Sequence, residues 1–440
     1  MSQPQVPRPN GLASRRRYHG AIGWIRSLPW LRIVRVLFAL YLVGALISVW
    51  LPGDWRQADV TLYRNYAAAF WNHLGHPTLP AEYPPLSVIP FALALVGPPA
   101  VGQDSFAAGM AVLFVLGFFA VRRWKGSSRA WTYGFYTLAA GPATLLFRYD
   151  LVAALLVLAC LWLLERRRFG SLYPLIGVGT LVKVFPLVLL PVAAIAHARA
   201  GWRRGPRGVA WRLAAGGAAC LGIVVAGFAL GLVVDPGHGL GALTYEFQRP
   251  VEVESVPATL MWLGSLVGVP IHPADTFGGY DLTGPLSGLA TALGDAALVA
   301  GMLWVWWRQA TGRMDAGHAF TATVLVLLCT SRVLSAQYLL WVAPLLAVVD
   351  GFRFRWLAVF LLTAAVFPLL FTFAVQYQPR IVYSGLFLLT VGARNVLMVV
   401  CTALYLASPQ TSTSRLDNPE PPAAHPEPAV PVAATLAAGG

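Results

Sequence analysis

The sequence predicts an all-α polytopic membrane protein of about 12 transmembrane segments, judged against the ~20 apolar residues a helix needs to cross a bilayer. Three observations carry that expectation. First, 57% of the 440 residues are hydrophobic and only 11% are charged, whereas soluble domains carry about 25% charged residues. Charges this sparse could not cover a water-facing surface of such size. Second, long apolar runs recur from residue 31 to residue 406. Third, the basic residues gather in polar stretches between those runs, as they do in cytoplasmic loops. A soluble enzyme, a fibrous repeat and a disulfide scaffold are excluded.

The elements follow in order. Residues 1–30, with Arg15-Arg16-Arg17 and Arg26, read as a basic cytoplasmic N-terminus. The run 31–51 reads as a signal anchor, because it is long and no small-x-small cleavage site follows. It opens the membrane domain, 31–406, and leads into a long first external loop, 52–103. Within that loop, Ala58 to about Leu74 has the spacing of an interfacial amphipathic helix, with Leu62, Tyr66, Ala69 and Phe70 along one stripe. Further apolar runs fall near 104–121, 130–147, 149–164, 172–182, 184–197 and 209–234. After a second external loop, 235–284, come 285–307, 318–334, 336–350, 355–375 and 383–406. The tail, 407–440, is rich in Pro, Ala, Ser and Thr and reads as a disordered cytoplasmic extension.

Two segments decide the topology. The stretch 84–98 is apolar but short and holds Pro84, Pro85, Pro90 and Pro98, so it is expected to re-enter or lie in the interface. The stretch Leu172–His197 is expected to break at Lys183-Val184-Phe185-Pro186, where proline removes a backbone donor. With both choices the basic residues divide 24 inside to 7 outside, with Arg394 inside the last helix, and both termini are cytoplasmic. The net charge of +14 is then an orientation signal, and no nucleic-acid partner is expected. The four cysteines lie in apolar segments without metal or redox spacing and read as core thiols.

This topology sets Asp54, Asp59, Glu82, Arg148 and Asp150 at or near helix ends on one face, together with Lys183, Glu252, Glu254, Arg332 and Gln337. Charges at a membrane boundary on one face suggest a site. Structural readings stand beside that one. Asp54 or Asp59 could cap a helix, and Arg148 could pair with Asp150. Lys183 could snorkel, and Arg332 could close a helix end. Glu252 and Glu254 could be solvated, and Tyr83, Gln337 and Tyr338 could be interface anchors. His73 and His76 share a helix face, but no carboxylate-rich cluster joins them, so no metal site is assigned.

Asp59-x-x-x-Tyr63 followed by Glu82-Tyr83-Pro84-Pro85-Leu86 resembles the first external loop of glycosyltransferase family 87, in the membrane-embedded GT-C superfamily. Arg148-Tyr149-Asp150, Lys183-x-x-Pro186, Gln248-Arg249 through Glu254-Ser255, and Ser335-Ala336-Gln337-Tyr338-Leu339-Leu340-Trp341 resemble that family in the same order. The resemblance implies a GT-C-like fold with interfacial helices in the first external loop. It further implies transfer of a sugar, mannose or arabinofuranose in actinobacterial members, from a polyprenyl-phosphate donor to an external glycolipid or glycan acceptor. Such a donor already carries a good leaving group, so one carboxylate base suffices. By the resemblance Asp59 is that base, with Asp54 the runner-up. Lys183, Arg148 and Arg332 are the candidates for the donor phosphate. Tyr63, Glu82, Tyr83, Asp150, Glu254, Gln337 and Tyr338 are the candidates for the sugar and acceptor. No cofactor is assigned, and the residues leave divalent-metal dependence open.

The expected place is the plasma membrane, among its lipids, with the site on the external face. A transporter or flippase of lipid-linked sugar is the alternative; it would often show internal repeats, and none is evident. A catalytically inactive assembly partner is a third reading. The topology has a direct check. A Ser127→Cys protein should resist a membrane-impermeant maleimide applied to intact cells, and ready labelling would overturn the side assignment.

Overall fold

The computed structural model describes residues 54–201, 206–371 and 382–408. The expectations for the basic N-terminus, the signal anchor and nearly all of the tail lie outside the described residues. The described chain begins with α1 (Asp54–Trp71). Its buried positions are Val60, Tyr63 and Ala67, which share one helix face. The expected stripe of Leu62, Tyr66, Ala69 and Phe70 is only half-buried. The face packed on protein is centred on Tyr63, which stacks on Phe91 and meets Phe106.

Short helical turns over Pro85–Leu95 follow, interrupted by prolines that remove backbone donors. At 1.5 Å per residue such a stretch reaches about 17 Å, short of the ~30 Å hydrocarbon core. It cannot cross a bilayer as a helix. Then come α2 (Gly102–Lys125), α3 (Ser127–Ala139), α4 (Pro142–Phe147) and α5 (Asp150–Glu165). At two of the joints Gly126 and Gly141 take φ of 88° and 115°, which a side chain would strain.

Next are α6 (Phe169–Val182), a tight helical turn at Phe185–Leu189, α7 (Leu190–Gly201) and α8 (Pro206–Val234). The break between α6 and α7 falls at the predicted Lys183–Pro186. After α9 (Gly241–Gln248) come β1 (Val251–Glu252), α10 (Val256–Ser265), β2 (His272–Thr276) and β3 (Gly279–Thr283). The strands form an antiparallel sheet in the order β1-β3-β2, an addition to the all-α class read from the sequence. Its hairpin turns at Phe277-Gly278, both at positive φ. Ser255 caps α10, its Oγ accepting from the Ala258 N–H at 3.1 Å.

The described chain ends with α11 (Ser287–Ala310), α12 (Ala316–Thr330), α13 (Leu339–Val349), α14 (Phe354–Ala364) and α15 (Gly385–Ala407). Among the described residues, four helices, α2, α8, α11 and α15, are long and apolar enough to cross a membrane. Large apolar side chains stand exposed along them, among them Phe119, Val225, Leu303 and Leu404. Apolar surface on this scale suits lipid rather than water. Shorter apolar helices pack among them, and the main core joins α3, α5, α6, α12, α13, α14 and α15.

The basic loops meet at one end of the bundle. Lys125 pairs with Glu165 at 2.6 Å, the Tyr136 hydroxyl contacts the Gly351 and Arg353 carbonyls at 3.1 Å each, and Arg199 donates to the Gln309 carbonyl. The breaks at 148–149, 183–184 and 335–338 gather at the other end, around one cavity. This segregation agrees with a proline-rich segment that does not cross.

Helices α6 and α8 approach through glycine. A Cβ placed on Gly177 would lie 2.8 Å from the Cys220 carbonyl oxygen and 3.1 Å from the Ile223 side chain, closer than ordinary contacts. Gly177→Val should therefore lower stability by about 1–3 kcal/mol, the usual cost of overpacking. A lowered unfolding midpoint in mild detergent is expected; an unchanged one would refute the close approach.

Candidate functional site

The cavity at the non-basic end holds about 480 Å³. Asp59 reaches it from α1, Glu82 and Tyr83 from the turn before Pro84, and Arg148 and Tyr149 from the joint between α4 and α5. Lys183 enters from the break after α6, Gln337 and Tyr338 from the turn before α13, and Glu246 and Arg249 from α9 and its end. Glu252 and Glu254 complete one wall. Backbone bonds fix that wall: the Glu252 N–H donates to the Arg332 carbonyl at 3.0 Å, and the Val253 N–H to the Tyr280 carbonyl at 2.8 Å.

Four ion pairs organise the charges. Asp59 contacts Arg148 directly. Asp150, fully buried, takes Lys183 Nζ at 2.9 Å on Oδ1, and the same oxygen accepts from Trp341 Nε1 at 2.8 Å. Around Lys183 Nζ lie the rings of Tyr149, Tyr338, Trp341 and Tyr83, with centroids at 4.7, 5.2, 5.5 and 5.9 Å. The cation is thus held by one carboxylate and four π faces. Arg249 faces Glu252 at 3.7 Å. Arg394, wholly buried in α15, reaches Glu254 Oε2 at 3.2 Å and also donates to the Glu254 carbonyl. Beside it, Asn395 Nδ2 donates to the Ser255 carbonyl at 2.9 Å.

Burial raises the carboxyls of Glu82 and Glu252 above their ordinary values, while Arg249 pulls both back down. The Glu254 carboxyl is pushed by burial up to about 7, against the pull of Arg394. Among the described residues, five carboxylates and three cations line the cavity. Each of the three cations, Arg148, Lys183 and Arg249, is paired with a carboxylate, and the remaining polar groups can meet hydroxyls.

A second, apolar groove of about 450 Å³ adjoins this cavity. Phe185, Leu187, Leu298, Met302, Trp306 and Leu327 are among its lining residues. Lys183, Val184, Glu246 and Tyr338 line both spaces, so the caged cation stands at their junction.

Most of the residues read from the sequence come together here: Asp59, Glu82, Tyr83, Arg148, Lys183, Glu254, Gln337 and Tyr338 all line the cavity. Three do not. Tyr63 is buried in an aromatic cluster with Tyr83, Phe91 and Tyr149. Asp150 lies beneath the cavity as the partner of Lys183, not of Arg148. Arg332 turns away, its Nη2 donating to the Glu246 and Phe247 carbonyls at 3.1 and 2.9 Å; the end of α9 captures it. Asp54 begins α1, and its side chain lies outside the described residues. Asp59 stands in the second turn of α1, so it is not that helix's cap. Sequence reasoning missed Glu246, the cavity role of Arg249 and Arg394 as the buried partner of Glu254; an arginine inside an apolar helix was the one available signal for the last.

A carboxyl raised on folding adds stability that is complete below its unfolded value and is lost as pH climbs through the folded value. Glu254 should therefore contribute a decline in stability between pH 4.5 and about 7. Glu254→Gln should flatten the dependence of Tm on pH across that window, and an unaltered slope would contradict the assignment. No protein-family model, curated protein or solved structure matches the chain.

Proposed function

We propose that the chain is an inverting, plasma-membrane glycosyltransferase of the GT-C type. In this reading it moves a sugar, mannose or arabinofuranose, from a polyprenyl-phosphate donor to a hydroxyl of an external glycolipid or glycan. One observation carries the proposal: a charged cavity and an apolar groove meet at Lys183. That pairing fits an amphiphile whose phosphate lies by a cation and whose chain lies in hydrocarbon. With twelve crossings, as the sequence reading has it, the cavity opens to the external face.

The chemistry needs few groups. An acceptor oxygen attacks the anomeric carbon as the carbon–oxygen bond to phosphate breaks. The phosphate leaves with the bonding pair, and the acceptor proton passes to Asp59. Arg148 has donors enough to hold Asp59 and phosphate together, and Lys183 adds a compact charge. Glu82, Tyr83, Glu254, Gln337 and Tyr338 offer partners to sugar hydroxyls. Attack opposite the leaving phosphate inverts the anomeric centre.

Purified protein in liposomes, given polyprenyl-phosphoryl mannose or arabinofuranose and an alkyl glycoside acceptor, tests the reading. Transfer should fall about 10²–10⁴-fold in Asp59→Asn, the range of a general base, while Tyr63→Phe stays near the parent. Full activity in Asp59→Asn would remove the base assignment. Donor movement across the bilayer without product would identify a flippase instead.

A further inference from the structure

A shallow, open cleft, about 370 Å³, lies beside the sheet and the first turns of α11, with polar side chains set into a largely apolar lining. Ser287, Thr291 and Asp295 line it, spaced i, i+4 and i+8 and so on one face of that helix. The stripe descends about 12 Å at helical rise. It does so on a helix whose other outward residues, Leu289, Leu293, Val299 and Leu303, are exposed and apolar. Asp295 is itself exposed, and a carboxylate in a membrane-crossing helix is costly and marks a functional position.

Facing the stripe are Thr283, Arg332 and Arg249. Arg249 is nine-tenths buried and lines both this cleft and the central cavity, so its side chain is the wall between them. Its Nε and the Ser287 Oγ are buried without a hydrogen-bond partner among the described residues. Thr283 and Arg332 are anchored by the His272 carbonyl at 3.2 Å and the end of α9.

We propose that this cleft binds the sugar headgroup of a membrane-anchored glycolipid, the acceptor, before it enters the central cavity past Arg249. Hydroxyls that donate and accept, one carboxylate and two guanidinium groups match the vicinal hydroxyls of a sugar, each of which needs both a donor and an acceptor. Position supplies the rest of the specificity. The cleft opens along a lipid-facing helix, so its occupant is polar at one end and apolar at the other. The acceptor role rests on the transfer reading above; the headgroup site does not.

The test is photolabelling without turnover. Protein in phosphatidylcholine nanodiscs, on an Asp59→Asn background, is exposed to an alkyl α-mannoside bearing a diazirine beside its glycosidic oxygen. Label is expected on the α11 face of Ser287, Thr291 and Asp295, displaced by dodecyl α-mannoside but not by methyl α-mannoside at equal concentration. Asp295→Asn and Thr291→Val should each weaken it, the former roughly tenfold, as for a lost hydrogen bond to a charged group. Label that ignores both substitutions would overturn the site. Equal displacement by methyl mannoside would exclude a membrane-anchored ligand, and equal displacement by phosphatidylglycerol would mark an anionic-lipid site instead. Lack of sugar transfer by the parent protein would defeat the proposed function while leaving this labelling to be judged separately.

Discussion

The buried pair of Asp150 and Lys183 is the constraint around which the site is built. A carboxylate with no exposure is tolerable only if paired and hydrogen-bonded, and Asp150 gets both from far along the chain. Lys183 comes from the break after α6 and Trp341 from α13. Three helical elements must therefore end, bend or pass within a few ångströms of one point. Breaking such a pair typically costs about 3–5 kcal/mol, because the abandoned charge stays buried. The aromatic cage follows from the same meeting: Trp341 stacks with Phe185 at 3.9 Å and with Tyr338 at 4.1 Å. Lys183 is thereby aligned at the junction of polar and apolar space.

The other ion pairs extend this logic around the rim. Arg148 ties the first helix to the α4–α5 joint, and Arg394 ties the last helix to the loop before α10. These two couples, like Asp150–Lys183, link segments distant in sequence, whereas Arg249–Glu252 is local. The cavity is thus polar without being loosely held. Five carboxylates and three paired cations line it among the described residues.

Much of this was legible in the sequence, and the failures have physical causes. Proline marked both unusual segments, because its missing N–H acts wherever it falls; the breaks at 84–98 and 183–186 follow. Loop residues Glu254, Gln337 and Tyr338 came with local motifs. Pairings did not. Arg148 and Asp150 are neighbours in sequence, yet Asp150 opens α5 and faces the core while Arg148 turns to Asp59. Arg332 was captured by backbone carbonyls, which no side-chain pattern reveals. The protein-facing side of α1, Val60, Tyr63 and Ala67, is set by Phe91 and Phe106, partners that the helix's own spacing does not name. The three-stranded sheet, built from strands of two to five residues, is too short to leave a clear alternation.

The glycine seam between α6 and α8 reaches further than helix packing. Gly227 of α8 leaves the space that Leu181 occupies, and Leu181 stands two residues before Lys183. The register of a lipid-facing helix is therefore coupled, through a missing side chain, to the place of the cation at the mouth of the cavity. Bulk added on that outer helix would act as a shim beneath Lys183. Variation far from any charged residue could then shift Lys183 against its partner Asp150 and the rings around it.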